Sequence, residues 1–128
     1  KEEDTKKYGF VAGDKVADNI IQVDKIVEKP GPGKAPSNYA TVSGYLLTPD
    51  IFPILASLSP GKDNEIWLMD AISEQMKKQA VYACLIKNAK YYDTGNKIEY
   101  LKANIDFALK RDEFKDELIQ YLKDKKLN

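Results

Sequence analysis

Apolar and polar positions divide the chain into short extended segments followed by helical ones. "KKYGFV" (6–11) and "NIIQVDKIVEK" (19–29) are rich in β-branched and aromatic residues and predict two strands, joined by the polar "AGDKVAD" (12–18). After the Pro/Gly loop "PGPGKAPS", the stretch "NYATVSGYLLT" (38–48) predicts a third. In "TPDIFPILASL" the period changes: Thr48 is placed to cap a short helix with Pro49 in its first turn. "SPGKDN" (59–64) reads as a turn, and Asn64 as the cap of a helix over "EIWLMDAISEQMKK" (65–78), where Ile66, Met69, Ile72 and Met76 recur at helical spacing. "VYACLI" (81–86) and "KYY" (90–92) predict short strands. "NKIEYLKANIDFALKR" (96–111) carries Ile98, Leu101, Ile105 and Leu109 as one apolar stripe, and "EFKDELIQYLKDKK" (113–126) is amphipathic with lysines at its end. Strands leading into helices define an α/β class.

Length and composition narrow the chemistry. The chain has 128 residues, one domain's worth. Its 20 Lys and Arg balance 20 Asp and Glu, so no basic footprint for nucleic acid is present. No apolar run reaches the ~18 residues of a membrane helix. One cysteine, Cys84, forms no internal disulfide, which suits a reducing, cytoplasmic setting. The chain has no histidine, so Ser-His and Cys-His nucleophile pairs are excluded within it. Carboxylate, lysine and tyrosine chemistry remains, which suits hard cations and phosphates. Yet no glycine-rich loop, Walker lysine or dinucleotide fingerprint is present to cradle a phosphate.

Three features stand out against that background. Glu28 and Lys29 are adjacent at the end of a strand that Pro30 terminates. Such a pair is either a solvated surface pair worth under ~1 kcal/mol or a ligand-facing acceptor and cation. Gly9 interrupts an inner strand, as a bulge or as a close approach of backbone to ligand. Asp70, near the start of its helix, is either solvent-facing or a ligand for a hard cation.

Five motifs in register now speak to these alternatives. "YGF", "VEKP", "APSNYA", "NEIWLMDAI" and "YYDTGNKIEYLKANIDFALKR" follow one another as "YGV", "VEKP", "APSNLA", "GEIQLTDA" and "DCGNKLGYLKA" do in bacterial UTP–glucose-1-phosphate uridylyltransferases. The chain resembles that family from about Tyr8 to its end. The resemblance implies part of a nucleotide-diphospho-sugar transferase fold, a Rossmann-like mixed sheet with C-terminal helices. Residues 1–128 would form a single domain, the C-terminal sugar-phosphate-binding portion, without the nucleotide-binding half and its glycine-rich loop.

The resemblance also implies roles. Glu28 would accept hydrogen bonds from glucose hydroxyls, and Lys29 would neutralise the 1-phosphate as the catalytic cation. Gly9 would bring backbone against the sugar, with Asn38 and Thr41 lining its pocket and Asp93 of "DTGN" positioning it. Asp70 would help hold magnesium. Trp67 and Met69 stand where the family has Gln and Thr, which either sets apolar groups beside the proposed ligand Asp70 or has Trp67 packing on the hydrophobic side of its helix. Ser43 and Gly44 in "VSGY" likewise depart from the family's "VGRY". The implied reaction is attack of a glucose 1-phosphate oxygen on the α-phosphorus of UTP, in line with departing pyrophosphate, with no covalent intermediate. The partners expected are UTP and glucose 1-phosphate, not nucleic acid or membrane, and a split sheet edge invites a homo-oligomer. A dTTP- or CTP-dependent relative, or a non-catalytic sugar-phosphate-binding or dimerisation module, fits the same residues.

Overall fold

The structure, a computed structural model, describes residues 2–42, 44–61 and 64–125. Ser43, Lys62 and Asp63 of the expected 59–64 turn, and Lys126 at the end of the expected last helix lie outside them. The chain forms two compact units, residues 1–87 and 88–128.

The first unit opens with a 3₁₀ turn (Glu2–Lys6), followed by strands β1 (Phe10–Ala17), β2 (Ile20–Val27) and β3 (Tyr39–Ala40), helices α1 (Ile51–Ser57) and α2 (Leu68–Met76), and strand β4 (Val81–Cys84). The strands form one sheet in the order β3-β1-β2-β4, and every pairing is antiparallel. The α/β class holds.

The segment 12–18, expected as a connector, instead forms most of β1, and Ala17 pairs with Ile20 across a tight turn. Its pattern hid this because Asp14–Ala17 are all exposed: a hairpin arm that buries nothing needs no alternation. The hairpin also contains a bulge. Ala12 faces Lys25 and Gly13 faces Val23, which leaves Asp24 as the extra residue. Ile21 and Val23 are buried at period two, and the inserted residue returns Ile26 to the apolar side. Gly13 is required there: it sits at φ 155°, and an added Cβ would lie 1.9 Å from the Gln22 carbonyl oxygen.

Helices α1 and α2 supply a core of Ile51, Ile54, Met69, Ala71 and Ile72, against which Ile26 of β2 and Val81 of β4 pack. Thr48 does not cap α1, whose N-cap is Asp50 with no side-chain capping bond. Its hydroxyl instead accepts from the buried Gln75 Nε2 at 2.9 Å, joining the two helices. Helix α2 starts at Leu68, after Trp67, and not behind Asn64. Asn64 stands at φ 59°, and its N–H donates to the Gly61 carbonyl at 3.2 Å. The third strand shrinks to Tyr39–Ala40, and Gly44–Leu46, expected as part of it, are exposed and outside the sheet.

In the second unit, 90–92 is not a strand. Lys90 Nζ donates to Asp106 at 2.5 Å, and the Tyr92 hydroxyl donates to the same carboxylate. Hydrogen bonds from Lys90 and then Tyr92 hold the Asp106 carboxyl below its ordinary range. Asn96 caps helix α3 (Lys97–Ala108), its side chain accepting from the Ile98 N–H at 3.0 Å and the Glu99 N–H at 3.3 Å. Helix α4 (Asp112–Asp124) follows. The expected α3 stripe forms geometrically, but Ile98 and Leu101 remain 55% and 56% exposed. Among the described residues no helix is long and apolar enough to cross a membrane.

Candidate functional site

The end of β2 and the residues before β1 form one knot of backbone. The Lys29 N–H donates to the Tyr8 carbonyl at 3.2 Å, and the Gly31 N–H donates to the Thr5 carbonyl at 3.0 Å. Beyond Val27 the chain turns sharply: Lys29 takes φ 43° and Gly31 φ 82°. A left-handed lysine is uncommon and costs about 1–3 kcal/mol, a type of strain that concentrates at ligand sites. On the other side of β1, the Thr41 N–H donates to the Gly9 carbonyl at 2.8 Å. Ser37 secures that strand further, its hydroxyl donating to the Val11 carbonyl at 2.5 Å.

Gly9 is therefore flanked by Glu28 and Thr41. A Cβ added to it would lie 2.8 Å from Glu28 Oε2, 2.8 Å from Thr41 Oγ1 and 3.5 Å from Met69 Cε. The buried glycine lets a carboxylate and a hydroxyl converge over bare backbone. Gly9 itself lies just before β1 and is not a bulge, which lies at Gly13 and Asp24 instead.

The electrostatics follow from that convergence. The Glu28 side chain is only 16% exposed. Burial pushes its carboxyl above the ordinary range, the neighbouring Lys29 charge pulls it back, and the charge of Asp70 adds to the rise. Asp70, exposed in the first turn of α2, is thus close enough for the two carboxylates to repel. Lys29 Nζ lies 4.0 Å from Glu28 Oε1 and 5.5 Å from the centre of the Trp67 ring.

Trp67 is not on the hydrophobic side of the helix. It precedes α2, half-buried, with its indole N–H donating to Glu65 Oε2 at 3.2 Å and its ring toward Lys29. Met69 is the one that turns inward, 6% exposed, contributing to both the core and the wall beside Gly9. The helical spacing of Met69 with Ile72 marks the methionine as inward, and the start of α2 at Leu68 leaves Trp67 outside the helix.

Gly9, Glu28, Lys29, Thr41 and Asp70 are thus brought into one neighbourhood. Asn38 is exposed in the bend that precedes β3, and Thr41 follows directly after that strand. Asp93 belongs to the second unit, where its Oδ1 accepts from the Gly95 N–H at 3.2 Å in the turn that leads to α3. Among the described residues no three His, Cys, Asp or Glu side chains group as a metal site. Asp70 still offers one hard oxygen donor, which fits magnesium, an ion commonly held by one or two carboxylates together with phosphate oxygens. An acceptor, a hydroxyl and a cation gathered around Gly9 suit a ligand that carries both hydroxyls and an anionic group.

The chain belongs to the nucleotidyl transferase family, whose pattern matches residues 1–110. It is similar to UTP–glucose-1-phosphate uridylyltransferase 2 of Streptococcus pyogenes serotype M3, with 44% identity over 121 residues, 94% of this chain and 40% of that protein. The uridylyltransferase of Streptococcus pneumoniae serotype 4 matches to the same extent, at 44% identity over 121 residues. A crystal structure of UDP-glucose pyrophosphorylase complexed with UDP-glucose superimposes with a TM-score of 0.80 at 39% identity, covering 87% of this chain and 42% of that one. A UTP-bound enzyme from Acinetobacter baumannii gives 0.77 at 30% identity, covering 97% of this chain and 41% of that one. The chain spans about 40% of the length of the curated relatives it matches.

Proposed function

We propose that this chain is the sugar-phosphate side of a nucleotidyltransferase that forms UDP-glucose and pyrophosphate from UTP and glucose 1-phosphate. The observation that carries the reading is the convergence of Glu28 Oε2 and Thr41 Oγ1 over Gly9, with Lys29 beside them. Glu28 accepts hydrogen bonds from sugar hydroxyls, and the missing side chain at Gly9 lets Glu28 and Thr41 come together over the backbone. Lys29 meets the 1-phosphate as a compact point charge. Its ammonium offsets the phosphate's charge, so that a phosphate oxygen can approach the α-phosphorus of UTP without a covalent intermediate. Asp70 would hold magnesium, which when bound supplies further neutralisation of phosphate charge. Asn38 and Asp93 enter this reading through the family resemblance, as pocket-lining and positioning residues.

The sequence carries no glycine-rich loop of the kind whose backbone amides cradle nucleotide phosphates. The chain alone is therefore a sugar-phosphate binder without turnover. The test has two parts: titration of the purified chain with glucose 1-phosphate followed in ¹H–¹⁵N spectra, and a pyrophosphate-release assay with UTP, glucose 1-phosphate and magnesium. Shifts at Gly9, Glu28, Lys29 and Thr41 with no pyrophosphate are expected. Steady pyrophosphate release that co-purifies with the chain would overturn the division of labour, and a titration without shifts would overturn the site.

A further inference from the structure

Lys29 is constrained at its base and at its tip. Its backbone is held in the left-handed turn at φ 43° with its N–H on the Tyr8 carbonyl, and its ammonium faces the Trp67 ring at 5.5 Å. The ion pair with Glu28, at 4.0 Å, is too long for a hydrogen bond and does not fix the tip by itself. Trp67 is anchored in turn. Its indole N–H donates to Glu65 Oε2 at 3.2 Å, and its carbonyl accepts from the Asp70 N–H at 3.1 Å and the Ala71 N–H at 3.4 Å.

We infer that Trp67 is a positioning residue for Lys29, its indole face holding the ammonium beside Glu28 and Gly9 for the phosphate of a sugar phosphate. The inference rests on the reading of the site given above and names what makes its cation specific. A lysine side chain has four rotatable bonds, and an exposed one must be ordered before it can hold an anion. A cation over an aromatic face is attracted without using up its N–H donors, so the same ammonium can still donate to phosphate oxygens. The carbonyl of Trp67 also starts the helix that carries Asp70, so one residue sets the place of both charged groups.

The experiment titrates the 128-residue chain with glucose 1-phosphate and, separately, with glucose, following ¹H–¹⁵N spectra. Trp67→Leu is expected to weaken glucose 1-phosphate about two- to fivefold, the value of an exposed cation–π contact, and to leave glucose unchanged. Trp67→Phe, which keeps an aromatic face, should restore most of the loss. Trp67→Leu added to Lys29→Met should weaken binding no further than Lys29→Met alone. Trp67 is the sole tryptophan, so Lys29→Met should also change the emission of the chain, which reads the same contact even if Trp67→Leu does not fold. Unchanged emission, equal weakening of glucose, or wild-type affinity in Trp67→Leu would each overturn the inference while leaving the site in place. A wild-type chain that binds no glucose 1-phosphate overturns the site and the inference together.

Discussion

Replacing Gly9 with alanine tests the convergence at the centre of the site. The new methyl would meet Glu28 Oε2 and Thr41 Oγ1 at 2.8 Å each, roughly 0.6 Å inside ordinary contact. Overpacking of that kind costs ~1–3 kcal/mol, and the reduced freedom of the unfolded chain returns ~0.4–1 kcal/mol. Both obstructing atoms end side chains that can rotate, so the net loss should fall near the low end, about 1 kcal/mol. In a unit this small that lowers Tm by about 4–8 °C. Binding should suffer more. Rotating away removes two hydrogen-bonding groups from the pocket, about 2 kcal/mol in all, or about 30-fold in affinity. Thermal unfolding and glucose 1-phosphate titration of the same sample separate the two effects. Gly61→Ala is the control, because its methyl would meet nothing nearer than 3.8 Å. An alanine variant with raised Tm and undiminished affinity would show that Glu28 and Thr41 do not meet over Gly9.

Three further outcomes are expected. Lys29→Ala, in a polypeptide competent for turnover, should cost ~2–4 kcal/mol of transition-state stabilisation while changing Tm little; near-normal kcat/KM would remove Lys29 from the chemistry. Asp70→Asn should raise the magnesium concentration needed for half-maximal activity, since a neutral amide is a poorer ligand for a hard cation, and a superimposable magnesium titration would assign the ion elsewhere. The Glu28 carboxyl is raised in the folded state by burial, so its contribution to stability is present below the unfolded value near 4.5 and lost as pH rises through the higher folded value. Glu28→Gln should therefore gain stability relative to wild type from acid to neutral pH while losing sugar binding, and parallel stability curves at pH 4 and pH 7 would refute the burial of that charge.

Much of the site was legible before any coordinates. The five ordered motifs singled out Gly9, Glu28, Lys29, Thr41 and Asp70, which the first unit gathers, and also Asn38, which lies in the bend before β3, and Asp93, which belongs to the second unit. Helix α3 was equally plain: Asn96 caps it through its own side chain, a bond made within three residues. The hairpin arm from Asp14 to Ala17 was not legible, since strands outside a core owe their existence to cross-strand hydrogen bonds and not to burial. The same holds for Thr48, whose sequence suits a helix cap but whose hydroxyl serves Gln75 from another helix. The apolar stripe on α3 shows the limit from the other direction, for periodicity establishes that Ile98 and Leu101 share a face but not whether anything covers it. Trp67 and Met69 are two residues apart and both large and apolar. The start of α2 at Leu68 sends the methionine into the core and leaves the tryptophan facing Lys29, because a helix turns each residue by its place in the backbone and not by its hydrophobicity.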